Sequence, residues 1–143
     1  MADPGALAEM LAERECAKLV RKYARLADGD DVDGFVGLFT ADGVWGRADG
    51  TAIEGREAIR RAYSSRPRRG PSRHQLLGVS VEFIGAGRAE GVSTALVVKS
   101  EGSGGKQVHV LSYADRYEQS DDGRWLIAAR SSEVLATHIM VES

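Results

Sequence analysis

The second half of the chain carries four strand-like runs in succession, and this feature constrains the possible fold most. The runs span residues 74–84, 88–100, 107–118 and 124–134. The segments between them, at 85–87, 102–105 and 121–123, are rich in glycine and aspartate, as tight hairpin turns are. Strands joined by hairpins pair in antiparallel fashion, so this half predicts a β-meander.

The first half is mainly helical in pattern. Across residues 6–28 apolar side chains mostly recur at three- and four-residue steps, which predicts an amphipathic helix that Gly29 could end in the left-handed conformation. Asp30 or Asp31 is placed to cap a second, short helix. Further short elements are predicted at residues 44–45 and 51–53 as strands, and at 56–64 as a helix. Helices followed by a meander predict an α+β fold, with the helices on one face of a curved sheet.

The size and composition of the chain predict one domain and exclude several classes of partner. A chain of 143 residues is typical of one domain, here residues 1–143. With 19 basic and 21 acidic residues the net charge is −2, so nucleic acid and anionic membranes are not expected partners. Cys16 is the single cysteine, which excludes an intrachain disulfide. No apolar run is long enough to span a membrane and no leader-like segment is evident, so a cytoplasmic location is expected.

No metal or cofactor is expected. The three histidines, at positions 74, 109 and 138, lack the short spacings of zinc ligands. The glycines at 102–105 separate two predicted strands and therefore suit a turn better than a phosphate-binding loop.

Three residues could supply acid–base chemistry. Tyr23 and Asp28 lie near the end of the first helix, and His74 opens a later strand. If the fold brings them together, they form a carboxylate-oriented imidazole base with a phenol donor, which can remove a proton next to a carbonyl. The alternatives are a surface histidine, a solvated aspartate and a tyrosine that only packs in the core.

A set of ordered motifs extends along nearly the whole chain. They are Arg21-Lys22-Tyr23, Asp28-Gly29-Asp30, Leu38-Phe39-Thr40-Ala41-Asp42, Gly55-Arg56-Glu57-Ala58-Ile59, Arg73-His74, Tyr113-Ala114-Asp115 and Asp122-Gly123-Arg124-Trp125. In order and spacing they resemble the SnoaL-like branch of the nuclear transport factor two-like superfamily, nearest to the group of scytalone dehydratase, bile-acid 7α-dehydratase and dehydrochlorinase. The resemblance implies a cone-shaped α+β barrel, in which three N-terminal helices pack on a strongly curved mixed sheet that encloses a pocket.

The resemblance also implies roles for individual residues. Asp28 and His74 match the catalytic dyad of this group, and Tyr23 matches the catalytic tyrosine of the bile-acid enzyme. Substrate contact is expected at Trp45, His109, Tyr113, Asp115 and Arg130. From the residues alone, His109 could equally be a hydrogen-bonded cavity histidine, and Asp115 and Arg130, on adjacent strands, could simply pair with each other.

Two departures from the resemblance argue against the substrate of scytalone dehydratase and against the mechanism of ketosteroid isomerase, which shares the fold. Scytalone dehydratase has a tyrosine directly before its aspartate, where this chain has Ala27. The general-base aspartate of ketosteroid isomerase would align with Arg47, whose guanidinium stays protonated and cannot act as that base.

The expected function is a cofactor-independent, dehydratase-like lyase that acts on a small, fairly apolar cyclic substrate by proton abstraction. A SnoaL-like polyketide cyclase or isomerase would use the same base, and a non-catalytic small-molecule-binding module would keep the cone without the chemistry. A homodimer or higher homo-oligomer is expected through the outer sheet face. The basic segment at 66–72 is expected to be a mobile loop at the pocket mouth, and the tail at 133–143 to close the pocket or pack on a partner.

Overall fold

The computed structural model describes residues 3–67, 72–100 and 105–140. Its helices are α1 (Pro4–Ala27), α2 (Val32–Val36) and α3 (Arg56–Ser65). Its strands are β1 (Phe39–Gly46), β2 (Ala52–Glu54), β3 (Ser72–Gly85), β4 (Arg88–Ser100), β5 (Lys106–Gln119) and β6 (Trp125–Met140).

The strands form one mixed sheet in the order β2-β1-β6-β5-β4-β3. Neighbouring strands are antiparallel except β1 and β6, which are parallel. The register shifts at Leu76/Gly78 in β3 and at Val110/Leu111 in β5, and such irregularities bend a sheet. The predicted α+β fold, with N-terminal helices packed on a curved mixed sheet, is confirmed.

Helix α1 covers the inner face of the sheet through one apolar stripe. Its buried residues recur at helical spacing and are Ala12, Cys16, Leu19, Val20 and Tyr23. The helix packs against β3, β4 and β6, and the Asp3 side chain caps its start by accepting from the Gly5 N–H at 3.1 Å. This packing brings the C-terminal end of α1 close to the first residues of β3.

The prediction that Gly29 ends α1 in the left-handed conformation is wrong. Asp28 is the C-cap, at φ −91° and ψ −7°, and Gly29 is not one of the glycines with positive φ. A left-handed cap would satisfy the last helical carbonyls. Here the backbone N–H groups of Asp28 and Gly29 donate to the Arg25 and Leu26 carbonyls, and the Tyr63 hydroxyl of α3 adds a contact at 2.6 Å from the Leu26 oxygen and 2.7 Å from the Gly29 oxygen.

The C-terminal segment differs from its prediction as well. Strand β6 continues past Val134 to Met140, and Gln107 of β5 lies opposite Ile139. Residues 135–140 of the expected tail therefore pair with β5 as part of the sheet and do not form a separate segment that closes the pocket. Residues 141–143 lie outside the described residues. Most of the predicted basic loop, residues 68–71, also lies outside them.

Candidate active site

A cavity of about 430 Å³ lies between the helices and the inner face of the sheet. Five aromatic side chains form much of its wall: Tyr23, Phe35, Trp45, Tyr63 and Tyr113. The rings contact one another in tilted, edge-on or stacked pairs, with Phe35 and Tyr63 stacked at 4.3 Å between centroids. Polar side chains from β3, β4, β5 and β6 complete the lining, so the cavity combines an aromatic wall with several donors and acceptors.

The structure brings Asp28 and His74 together across the gap between α1 and β3. The Asp28 Oδ1 atom lies 2.6 Å from His74 Nδ1, and its Oδ2 accepts from the His74 backbone N–H at 2.7 Å. The Ser72 hydroxyl also donates to Oδ1, at 3.1 Å. The two side chains are 8% and 13% exposed, for Asp28 and His74 respectively, so the contact is made largely away from water. The opposite nitrogen of the ring, Nε2, is left for the cavity that His74 lines.

The surroundings of His74 favour its neutral form. Burial lowers the pKa of the imidazole below its ordinary value, and the hydrogen bond and charge of Asp28 oppose that effect. The positive charges of Lys99 and Arg130 add to the lowering. With Nδ1–H donating to the carboxylate, a neutral ring presents the lone pair of Nε2, which is the arrangement of an oriented general base.

Tyr23 is held as a proton donor. The indole N–H of Trp45 donates to the Tyr23 hydroxyl oxygen at 2.8 Å, and none of the described residues accepts the hydroxyl proton of Tyr23. Burial raises the pKa of Tyr23, so the phenol keeps its proton at neutral pH. The structure therefore places a neutral O–H group in the wall of the same cavity as His74.

Asp115 and Arg130 pair with each other and do not line this cavity. The carboxylate accepts from Nε and Nη2 of Arg130, both at 2.7 Å, and from the Tyr117 hydroxyl at 2.9 Å. The guanidinium carbon lies 4.0 Å from the Tyr23 ring centroid and 4.1 Å from that of Tyr113. Burial alone would lower the pKa of Arg130, but its contacts with Asp115 raise it above the ordinary value. The pair thus packs against both tyrosine rings and helps to hold them in the cavity wall.

The remaining predicted substrate contacts are placed differently from one another. Trp45 and Tyr113 line the cavity. His109 faces the same side of β5 but bonds to Thr137 Oγ1 at 2.9 Å and to Gln107 Oε1 at 3.0 Å, and it is not part of the lining. The structure therefore favours the interpretation that His109 is a hydrogen-bonded strand residue over the interpretation that it contacts the substrate.

Several residues of the site were not identified from the sequence. Ser72 follows from the two-residue period of a strand, since it shares a face with His74. Tyr63 lies four residues after the fully buried Ile59, so helical spacing places it on the inward face of α3. Lys99 also lines the cavity, and no local pattern distinguishes it from other surface cations, whereas Arg66 belongs to the basic segment that the sequence placed at the pocket mouth.

Neither a metal centre nor a membrane segment is found in the described ranges. Among residues 3–67, 72–100 and 105–140, no three histidine, cysteine, aspartate or glutamate side chains are grouped as metal ligands would be. No helix in those ranges is long and apolar enough to cross a membrane.

Comparison with known proteins identifies the family. The profile of the SnoaL-like domain matches residues 8–131, which is most of the chain. The chain belongs to the SnoaL-like family. The resemblance to SnoaL-like proteins is thereby confirmed, and the solved structures share the fold. No curated protein matches the sequence.

Three solved structures share the fold of this SnoaL-like chain. A protein of unknown function from Mycobacterium tuberculosis is 28% identical, with a TM-score of 0.73 over 84% of this chain and 74% of the other. Hexachlorocyclohexane dehydrochlorinase LinA-type3 from Novosphingobium barchaimii LL02 is 15% identical, with a TM-score of 0.86 over 96% of both chains. A scytalone dehydratase-like protein from Novosphingobium aromaticivorans DSM 12444 is 18% identical, with a TM-score of 0.72 over 91% and 88%. Dehydrochlorinases and dehydratases thus occur on this fold, which by itself assigns no reaction.

Proposed function

We propose that this SnoaL-like protein is a cofactor-independent lyase that eliminates water, or a similar group, from a small cyclic carbonyl compound. The observation that carries the proposal is the 2.6 Å contact between Asp28 Oδ1 and Nδ1 of His74, whose side chain lines an aromatic cavity. An imidazole oriented in this way directs Nε2 at whatever the cavity holds, as in other histidine bases that a carboxylate positions.

His74 and Tyr23 together can carry out every proton transfer and hydrogen bond that the elimination requires. His74 Nε2 takes the proton on the carbon α to the carbonyl, and the electron pair left behind forms an enolate whose oxygen accepts from the Tyr23 hydroxyl. The enolate collapses to an α,β-unsaturated carbonyl as the C–O bond at the β carbon breaks. The imidazolium returns its proton to the departing hydroxyl, which leaves as water and restores the base.

The environment suits each of these steps. The lowered pKa of His74 keeps the base unprotonated at neutral pH, and Asp28 balances the imidazolium charge that forms during the reaction. A positioned base contributes roughly 10²–10⁴ in rate, and an oxyanion donor in a dry site roughly 10²–10³. The cavity volume of about 430 Å³ is within the range of small-molecule sites.

The test uses two probes that separate proton abstraction from elimination. Dehydration of 3-hydroxycyclohexanone to cyclohexenone is followed by ultraviolet absorbance, and exchange of the α-protons of cyclohexanone in deuterium oxide is followed by NMR. Wild-type protein is expected to accelerate both reactions. The His74→Gln variant is expected to lose both, because Nε2 is replaced by an amide without a basic nitrogen.

The matched control is His138→Gln, which changes an exposed histidine on β6 away from the cavity and should leave both rates unchanged. Circular dichroism verifies that each variant is folded. Exchange without dehydration would favour a cyclase or isomerase that uses the same base. Equal acceleration by wild type and His74→Gln would show that His74 is not the base, and a wild type that accelerates neither reaction would be a binding module rather than an enzyme of this kind.

A further inference from the structure

The charged residues that line the cavity all have the same sign. Three side chains with permanent positive charge belong to its lining: Arg47, Arg66 and Lys99. No aspartate or glutamate among the described residues lines it. This bias is unexpected in a chain of net charge −2, because a random sample of its charged residues would be about half acidic.

The carboxylate of Asp28, which holds the cavity-lining His74, is already bonded to other partners. Oδ1 is occupied by His74 Nδ1 and the Ser72 hydroxyl, and Oδ2 by the His74 backbone N–H. In the parts of the chain that the structure describes, none of the three cations forms an ion pair with a carboxylate. Among the described residues, these three cations therefore have no carboxylate at ion-pair distance, although the charge of Arg47 contributes to lowering the pKa of the exposed Asp49.

Two of the cations are held by aromatic rings of the cavity wall. The Arg66 guanidinium lies 3.6 Å from the Tyr63 ring centroid and donates to the carbonyl oxygens of Tyr63 and Gly29. Arg47 lies over the Trp45 ring at 5.4 Å. Cations placed on rings in this way lose less entropy when they bind an anion than free surface side chains do.

Lys99 is the cavity-lining cation whose charge acts on the general base. Its Cα is opposite that of Ser72 in the β3–β4 register, and Ser72 donates to Asp28. The positive charge of Lys99 disfavours the imidazolium of His74, so this ammonium acts against the charge that catalysis would create there. A bound anion would cancel the repulsion between the Lys99 ammonium and the His74 imidazolium. Binding such an anion would therefore explain why a lysine lies at this position.

We infer that the substrate is an anionic ring compound: the ring lies in the aromatic cavity, and its carboxylate or phosphate lies at the mouth against Lys99, Arg47 and Arg66. The inference rests on the proposed function for the identity of the site but concerns binding rather than reaction. It adds a substrate class, an acid, to the small cyclic carbonyl compound proposed above.

The test compares probes that share a ring and differ in charge. Benzoate, phenyl phosphate and benzamide are titrated into the full-length protein at low ionic strength, and Kd is measured by NMR. At least one anion is expected to bind about tenfold more tightly than benzamide, and added salt should reduce that difference because it screens the charges. Whichever anion binds more tightly identifies the group that the mouth accepts.

Substitutions locate the effect. Lys99→Gln and Arg47→Gln are each expected to weaken the favoured anion roughly threefold to tenfold while leaving benzamide unchanged. The matched control is Lys106→Gln, which removes the same charge from an exposed position of β5 outside the lining and should change neither Kd. Equal affinity for the neutral and charged probes would overturn the inference, as would equal losses in the Lys99 and Lys106 variants.

The outcome is independent of the catalytic assays. In His74→Gln the preference for the anion should persist, since the cations at the mouth remain. An anion preference without His74-dependent turnover would support the inference and contradict the proposed function. Turnover without an anion preference would do the reverse.

Discussion

Asp28 and His74 act as one unit at the residue scale, and the pH dependence of turnover should report their coupling. The pKa of His74 is lowered by burial, so the basic form of the ring persists below its ordinary value of about 6.5. We therefore expect kcat/KM for 3-hydroxycyclohexanone to fall with acid only below that pH. Asp28→Asn removes the contacts that raise the pKa of His74, so its acid limb should move to still lower pH while turnover falls roughly 10²-fold.

The direction in which the acid limb of kcat/KM moves in Asp28→Asn decides whether the two residues are coupled. Asparagine preserves the shape of the side chain but carries no charge to stabilise an imidazolium. An acid limb that moved to higher pH in Asp28→Asn, or stayed in place with full activity, would show that Asp28 does not control the charge of His74.

Tyr23 offers a second prediction at this scale, because its ring and its hydroxyl have separate roles. Tyr23→Phe keeps the ring that contacts Phe35 and Arg130 but removes the hydroxyl that would hold the enolate. We expect kcat to fall roughly 10²- to 10³-fold. The lost bond to Trp45 should cost only about 1 kcal/mol of stability. A drop in stability with unchanged kcat would leave Tyr23 with a packing role alone.

How far the sequence predicts this site is clearest from its two central residues. Asp28 and His74 are separated by 46 positions, and no periodicity links the end of a helix to the start of a strand. Motif resemblance identified both residues, whereas their contact depends on how α1 lies across the sheet, which is decided by packing. Lys99 illustrates the limit, since no local pattern distinguishes it from a solvated charge, whereas Arg66 lies in the basic segment that the sequence placed at the pocket mouth.

At the scale of elements, the end of α1 is held by α3, and Tyr63 is the link. Its hydroxyl contacts the carbonyl oxygens of Leu26 and Gly29, on either side of Asp28. Tyr63→Phe leaves these carbonyls without that donor, and we expect a loss of about 1–3 kcal/mol in the free energy of unfolding, measured with urea. Turnover should fall as well, because Asp28 would be less firmly positioned.

A hydroxyl on the same helix provides the control for Tyr63. Ser65 Oγ donates to the Arg61 carbonyl at 2.8 Å in an exposed position, where water can replace it. Ser65→Ala should therefore change stability by less than about 0.5 kcal/mol. Equal effects of the two substitutions would show that the Tyr63 hydroxyl has no special role at the end of α1.

Strand β6 shows why element boundaries are harder to predict than element types. The run that the sequence identified as a strand stops near Val134, because the residues after it, Leu135 to Met140, show no clean alternation of apolar and polar side chains. Their side chains are all exposed, so no buried face imposes a period of two. The strand continues because β5 presents backbone groups that need partners, which the side-chain pattern does not record.

At the scale of the whole molecule, the buried pair of Asp115 and Arg130 connects adjacent strands to the aromatic wall of the cavity. Both side chains are fully buried, so removing one partner leaves an uncompensated charge in the interior. Asp115→Asn should therefore lower the free energy of unfolding by about 3–5 kcal/mol, measured by urea denaturation. The double variant Asp115→Leu/Arg130→Met removes both charges and should be less destabilised than the single variant. The opposite order would mean that the pair itself, rather than its desolvation, dominates stability.

The outer face of the sheet bears on the oligomeric state. Leu77 and Val92 are each 59% exposed there, and Glu90 lies opposite Arg116 in the β4–β5 register, beside a depression of about 640 Å³. A two-fold interface requires a surface that complements itself, and apolar side chains next to charges of both signs meet this requirement. We expect a homodimer through this face, seen by light scattering as twice the chain mass of 15.4 kDa.

Val92→Glu tests that expectation, since it places an unpaired charge at the centre of the expected interface and, by symmetry, places it there twice. The variant should be monomeric and should retain a folded cavity, because Val92 points away from the helices. Leu7→Glu is the matched control, as Leu7 is 50% exposed on α1, on the other side of the sheet, and its loss should leave the dimer intact. A wild-type mass of one chain, or a Val92→Glu variant that still dimerises, would assign the exposed apolar residues of this face another role.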